Sequence, residues 1–433
     1  MKLLIKGGRV IDPSQDMDAV GDVLVEDGTI AAVGAAAAAA KAASGATAIE
    51  ARGLVVSPGL IDMHVHLREP GREDEETIES GTRAAVAGGF TAVASMPNTN
   101  PPTEGEEGVK FVLAKACDAG LARVHPVAAV TQGLKGEMLA EIGSAIRAGA
   151  VAVSDDGRPV ANSGLMRHAL EYTSMLGKPV ISHSEDPVLA GRGVVNEGKV
   201  STLLGLRGIP NESEDIAVAR DISLARLTSA RLHIAHISTA RSLELVIEAK
   251  RLGLKVTCEA TPHHFTLTDE AVRTYDTNAK MKPPLRAEQD VSALRHALAT
   301  GLVDAIASDH APHSIEEKDQ EFDAAPFGIV GLETSLGLAL TELCHKSGLA
   351  LLDLVRLMST NPARILGLTS GTLKVGAPAD ITIFDPECEW TVDAAKLVSK
   401  SHNTPFSGWQ LRGKAVTVIV NGRLLMRDGE VLA

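Results

Sequence analysis

His64 and His66 stand one residue apart at the end of an apolar run in DMHVHLREPG, and Arg68 follows them. Residues i and i+2 of a strand face the same way, so the two imidazoles project together in a geometry suited to a metal ion. The same residue types recur where other short apolar runs end. Asp155 and Asp156 close AVAVSDD, His183 lies in KPVISHS and His236 in RLHIAHIS, and Asp309, His310 and His313 fall in VDAIASDHAPH. Imidazole nitrogen with carboxylate oxygen favours zinc or a similar divalent ion, and histidines sharing a carboxylate begin a two-metal site. A lone Asp-Asp-Gly is more often a turn, but its place among histidine-bearing runs reverses that reading. His233 faces away from His236 and reads as structural, while His125, His263 and His264 read as packing or as supports for ligands.

Such residues meet only if the runs that carry them are brought side by side. From Pro58 to about Leu368 strand and helix signals alternate, with eight short apolar runs of the kind buried on both faces. Amphipathic stretches such as SGLMRHALEYTSMLG and ARSLELVIEAKRLG lie between them. Eight β/α units predict an α/β fold of the TIM-type (β/α)8 barrel class, whose active site forms at the C-terminal ends of the strands. The candidate ligands sit at those ends. Both chain termini read instead as β: KLLIKGGRVID, GDVLVEDGTIAAVG and TAIEARGLVV at the start, GTLKVGAPADITIFD, WTVD and AVTVIVNGRLLMRDG at the finish. The expected division is residues 58–368 as a catalytic barrel and residues 1–57 with 369–433 as a small composite β-sandwich. Gly34–Ala46, rich in alanine, reads as a low-complexity surface connection.

The composition suits this layout. Hydrophobic residues make up 45% of the 433 and aromatics only 3%, so the core is built from Ala, Val, Leu and Ile. A net charge of −13 argues against nucleic acid or an anionic membrane as partner, and no segment approaches the length of a membrane span. Cys117, Cys258, Cys344 and Cys388 form no C-x-x-C pair, so neither a disulfide framework nor a cysteine zinc site is indicated and a cytoplasmic location is expected.

The motifs DMHVHLREPG, MPNTNPP, SDDG, SHSED, HIAHIST, EATPHH, ASDHAPH and FGIVGLET together resemble the dihydroorotase family, bacterial class I type, of the amidohydrolase superfamily, in register from about Gly59 to Thr334. The resemblance implies zinc-dependent interconversion of L-dihydroorotate and N-carbamoyl-L-aspartate in pyrimidine synthesis, with two zinc ions per subunit. His64, His66 and Asp309 would hold one ion, His183 and His236 the other. Many superfamily members bridge their metals with a carboxylated lysine; here VAVSDDGRP offers aspartates instead, and Asp156 is the better candidate than Asp155. Arg68, Asn98 and His313 fall on substrate-binding positions, and Asp309 would carry the proton from the attacking water to the leaving nitrogen. NAKMKPPLR departs from the pattern by placing Lys282 where asparagine is expected. The resemblance further implies a homodimer and a capacity to associate with aspartate carbamoyltransferase.

Two rival readings share part of this evidence. Another cyclic amidase, a hydantoinase or allantoinase, would have the same barrel and metals. A catalytically silent scaffold for aspartate carbamoyltransferase would have lost metal ligands, yet all six are present here. The polar stretch from Ser314 to Gly328 reads equally as a flap that orders over substrate or as a solvated loop.

Overall fold

The computed structural model describes residues 2–39 and 45–432. Eight strands form one parallel sheet: β1 (Leu60–Val65), β2 (Phe90–Ser95), β3 (Arg123–Ala128), β4 (Ala152–Val153), β5 (Val180–Ser182), β6 (Leu232–Ile234), β7 (Val256–Ala260) and β8 (Ala305–Ile306). They are the eight apolar runs of the sequence, and neighbours in sequence are neighbours in the sheet. Every residue of β1 is buried, as expected of a strand covered on both faces.

The sheet closes through a side chain. Asp62 of β1, fully buried, accepts the Ser308 backbone N–H with both carboxylate oxygens at 3.1 Å, and just beyond it the His66 N–H donates to His310 O at 2.8 Å. The first and last strands are thereby latched, and their histidine and aspartate ends brought together.

Helices fill the connections, with ends set by local chemistry. Thr77 caps Ile78–Ala87 by accepting from Ser80 N, and Thr239 caps Ala240–Arg251 by accepting from Ser242 N. Their apolar faces and the strands form the main core, mostly Val, Leu, Ile and Ala.

The two chain ends build one nine-stranded sheet. Lys2–Asp12 pairs antiparallel with Met17–Glu26 and parallel with Thr47–Glu50 and Val55–Pro58, and Ile381–Thr391 joins the two termini by pairing with Val55–Pro58. Gln410–Val420 and Arg423–Arg427 continue it across the Asn421-Gly422 turn. ITIFD and WT, separate runs in the sequence, lie on one strand bent by irregular register between Asp385 and Glu389. This sheet buries its own cluster, including Leu3, Ile5, Val23, Ile381 and Ile383. The alanine-rich connection opens with a short helix, Ala35–Ala39, and its residues 40–44 lie outside the described ones. Among the described residues no helix is long and apolar enough to cross a membrane.

Candidate metal and substrate site

The strand ends converge on one carboxylate. Asp156, just after β4 and 3% exposed, places Oδ1 at 3.3 Å from His64 Nε2 and at 3.5 Å from both His183 Nδ1 and His236 Nε2, while Oδ2 lies 3.4 Å from His66 Nε2. Asp309 approaches from β8, with Oδ1 at 3.0 Å from His66 Nε2 and 3.4 Å from His64 Nε2. Six residues from five strand ends thus meet in one buried cluster. Asp155 points elsewhere and accepts from Val130 N, Thr131 N and the Thr131 hydroxyl, holding the end of β3.

The aim of three key side chains depends on strained backbone. Arg68, His236 and Asp309 have φ of 59°, 29° and 47°, in the left-handed region that residues with a Cβ avoid. Each costs roughly 1–3 kcal/mol and persists because the barrel around it dictates the turn.

The tautomers are fixed from behind. His64 Nδ1 lies 2.7 Å from Glu259 Oε1 in β7, and an ionised carboxylate only accepts, so Nδ1 carries the hydrogen. The lone pair on His64 Nε2 therefore faces the oxygens of Asp156 and Asp309. His64 Nε2 and Asp156 Oδ1 are both buried without a hydrogen-bond partner, as are His183 Nε2 and His236 Nδ1. Lone pairs crowded on carboxylate oxygens repel unless a cation sits among them, so the donor set fits divalent metal. Two groups, His64 with Asp156 and His236, and His64 with His66 and Asp309, have the spacing to hold an ion.

The carboxylates around His64 attract positive charge to it, be it a metal ion at Nε2 or a proton. Against the penalty of burial, Asp156, Asp309 and Glu259 hold the His64 imidazole well above its ordinary pKa. Burial would likewise raise the two aspartates, but the His64 charge and hydrogen bonds from neighbouring histidines hold both well below the usual carboxylate range.

Beside this cluster opens a cavity of about 290 Å³, lined by Arg68, Asn98, Lys282, His313 and Phe327 as well as His66, His183, Asp156 and Asp309. Asn98 Oδ1 is 2.8 Å from His66 Nδ1, so this residue touches a histidine of the cluster and the cavity together. Arg68 donates from Nε to Pro312 O at 3.0 Å and pairs with Glu75 at 3.1 Å. Both ring nitrogens of His313 face oxygen: Nδ1 lies 2.7 Å from Glu75 and 3.0 Å from Glu317, Nε2 2.9 Å from Phe327 O. Lys282 lines the cavity and pairs with the buried Glu185 at 2.8 Å. Glu75, His313 and Glu317 also have metal-like spacing, but Arg68 and Arg72 already engage the two carboxylates. This end of the cavity thus carries cationic side chains, each already paired with a carboxylate.

The remaining histidines divide cleanly. His310 turns away, its Nε2 3.4 Å from Glu76 and its Nδ1 accepting from Gly331 N. His264 is tied to the Thr261 hydroxyl and Pro283 O, with His263 packed beside it, and His125 lies in a cleft next to the terminal sheet. His233 does reach the cluster indirectly, because its Nε2 contacts Glu259 at 3.1 Å and so steadies the carboxylate that orients His64. Glu259 escaped the sequence reading, although a glutamate inside the apolar strand VTCEA was a visible signal. Glu75, Glu185 and Glu317 carried none, since each reads as an ordinary surface charge.

A family profile described as Dihydro-orotase-like matches residues 53–242, and one described as Amidohydrolase family matches residues 211–426. Dihydroorotase from Geobacter sp. (strain M21) is 57% identical over 429 residues, covering 99% of this chain and 100% of that protein. Dihydroorotase from Citrifermentans bemidjiense is 58% identical over 425 residues, covering 98% and 99%. Among solved structures, L-hydantoinase (dihydropyrimidinase) from Arthrobacter aurescens superposes with a TM-score of 0.88 at 28% identity, covering 100% of this chain and 97% of its own. D-hydantoinase from Thermus sp. gives 0.85 at 26% identity, covering 100% and 96%.

Proposed function

Because the chain belongs to the dihydroorotase family, we propose that its cavity interconverts L-dihydroorotate and N-carbamoyl-L-aspartate, a step of pyrimidine nucleotide synthesis. The observation that carries this reading is one cavity with a cluster of metal-type donors at one end and Arg68, Lys282 and His313 at the other. A cyclic amide bearing a carboxylate matches both ends; a neutral hydantoin ring matches only the first.

In this reading zinc is the cofactor: His64, His66 and Asp309 would hold one ion, His183 and His236 a second, and Asp156 would contribute to both. When bound, such ions polarise an amide carbonyl and lower the pKa of water from 15.7 to about 7. The residues of the chain do the rest. Arg68 and Asn98 grip the substrate carboxylate, with His313 completing the contact, so that the ring amide is held over the histidine cluster. The Asp309 carboxylate accepts the proton of the attacking water and returns it to the leaving ring nitrogen, and the reverse transfer closes the ring. Glu259 keeps the His64 lone pair aimed inward throughout.

Residues 58–368 act as the catalytic unit and 1–57 with 369–433 as its β-rich companion, in a cytoplasmic homodimer able to associate with aspartate carbamoyltransferase. The test is hydrolysis of L-dihydroorotate, hydantoin and allantoin by the zinc-supplemented protein. Dihydroorotate is the expected substrate, and preference for either of the others reassigns the cavity to a different cyclic amide.

A further inference from the structure

We propose that Lys280 and Lys318 are positioning residues for substrate binding: their ammonium groups shape the roof of the cavity and thereby set affinity, leaving the chemical step alone. The proposal rests on the cavity being the dihydroorotate site.

The segment 319–328 follows the short helix Ile315–Lys318 and has no regular structure before the bridge between His310 and Ile329. Carbonyls in such a segment need donors from elsewhere. Lys280, 2% exposed, supplies three: its Nζ lies 2.6 Å from Phe322 O, 3.1 Å from Asp323 O and 2.6 Å from Ala325 O. Lys318, also buried, donates to Pro326 O at 2.8 Å and to Thr277 O at 3.0 Å. His313 Nε2 meets Phe327 O at 2.9 Å, and Asn403 Nδ2 donates to Gly328 O at 3.0 Å. The carbonyls of residues 322, 323, 325, 326, 327 and 328 are therefore all held by side chains.

An ammonium has three N–H groups, and burial is tolerable only when all find acceptors. For Lys280 every acceptor is backbone of the roof, and the same Nζ sits 4.7 Å over the Phe327 ring and 5.3 Å over that of Phe322. Among the described residues neither lysine forms an ion pair, so their charge is directed into carbonyl dipoles rather than into a carboxylate. What this fixes is Pro326 and Phe327, which line the cavity beside Arg68 and Lys282. Gly328 completes the shape, since a Cβ there would meet Ala311 O at 2.6 Å. The groups placed at the reacting amide stand on strand ends, whereas the clamp holds a loop. Burial pushes the Lys280 ammonium down to about 8 and that of Lys318 to about 7.

The experiment compares Lys280→Met, Lys318→Met and Lys280→Arg with the wild type in the zinc-loaded full chain. It measures KM and kcat for L-dihydroorotate and backbone hydrogen exchange across residues 319–328. Lys280→Met is expected to raise KM by about tenfold with kcat within about twofold, and to accelerate exchange in the roof by about tenfold while the strands keep wild-type protection. Lys318→Met follows in the same direction with a smaller change, and Lys280→Arg recovers part of the loss. Unchanged exchange in both methionine variants overturns the clamp. Faster exchange with unchanged KM, or a fall confined to kcat, overturns its link to binding. A wild type that does not turn over dihydroorotate fails the substrate reading instead, and exchange alone then judges the clamp.

Discussion

At one end of the cavity the polar atoms come from strand ends, and at the other from loops. His64, His183, His236, Asp156 and Asp309 inherit their positions from five strands of one parallel sheet, and their partners are mainly each other and Glu259. Arg68, Lys282, His313 and Phe327 stand on connections held by side chain to backbone hydrogen bonds and ion pairs: Arg68 to Pro312 O, His313 to Phe327 O, Lys282 to Glu185. The donors with metal-like spacing are mounted on the sheet, and the charged groups at the other end of the cavity on loops, where sequence can vary without disturbing the barrel.

Breaking the strand-borne end should be far more damaging than breaking the loop-borne end. Asp309→Ala is expected to lower kcat by about a thousandfold or more in steady-state assays of dihydroorotate hydrolysis, and an unaffected rate would remove Asp309 from the mechanism. Arg68→Met strikes the other end: KM should rise about 10- to 100-fold, consistent with loss of a charged hydrogen-bond pair, while bound zinc measured by elemental analysis stays at wild-type level. If zinc is lost as well, the two ends are not separable. Glu259→Gln sharpens the contrast from behind the cluster. Its zinc affinity, read by competition with a chelator, should weaken about 10- to 100-fold, and excess zinc should restore turnover. Lys282→Asn is expected to alter KM by less than about tenfold, since Glu185 already engages the ammonium; a larger change would promote Lys282 to a principal substrate contact. The smallest effect belongs to the terminal sheet, where Ile383→Val should cost about 0.5–1.5 kcal/mol in thermal or urea unfolding with kcat and KM unchanged.

The same contrast governs what could be read from the chain beforehand. All eight strands were legible because each is a short, largely apolar and largely buried run, and six of the residues named at their ends, His64 to Asp309, do converge. Asp155 and Asp156 look alike in sequence; only the turn after β4 separates a cap on the end of β3 from a carboxylate among histidines. The loop-borne end was legible only where a motif happened to name it, as with Arg68, Asn98 and His313. Lys280, Glu75 and Glu185 were invisible, because a charged residue in a polar stretch reads as solvent-exposed until the tertiary fold buries it. The stretch from Ser314 to Gly328 allowed two readings for the same reason: its order comes from Lys280 and Asn403, donors remote in sequence.

The latch of Asp62 onto Ser308 has a consequence for the life of the chain. His66 and Asp309 meet across a gap of 243 residues, and only when the last strand docks against the first. A nascent chain that has not yet emerged past Asp309 holds only part of this donor cluster, and the cluster is complete once the last strand lies against the first.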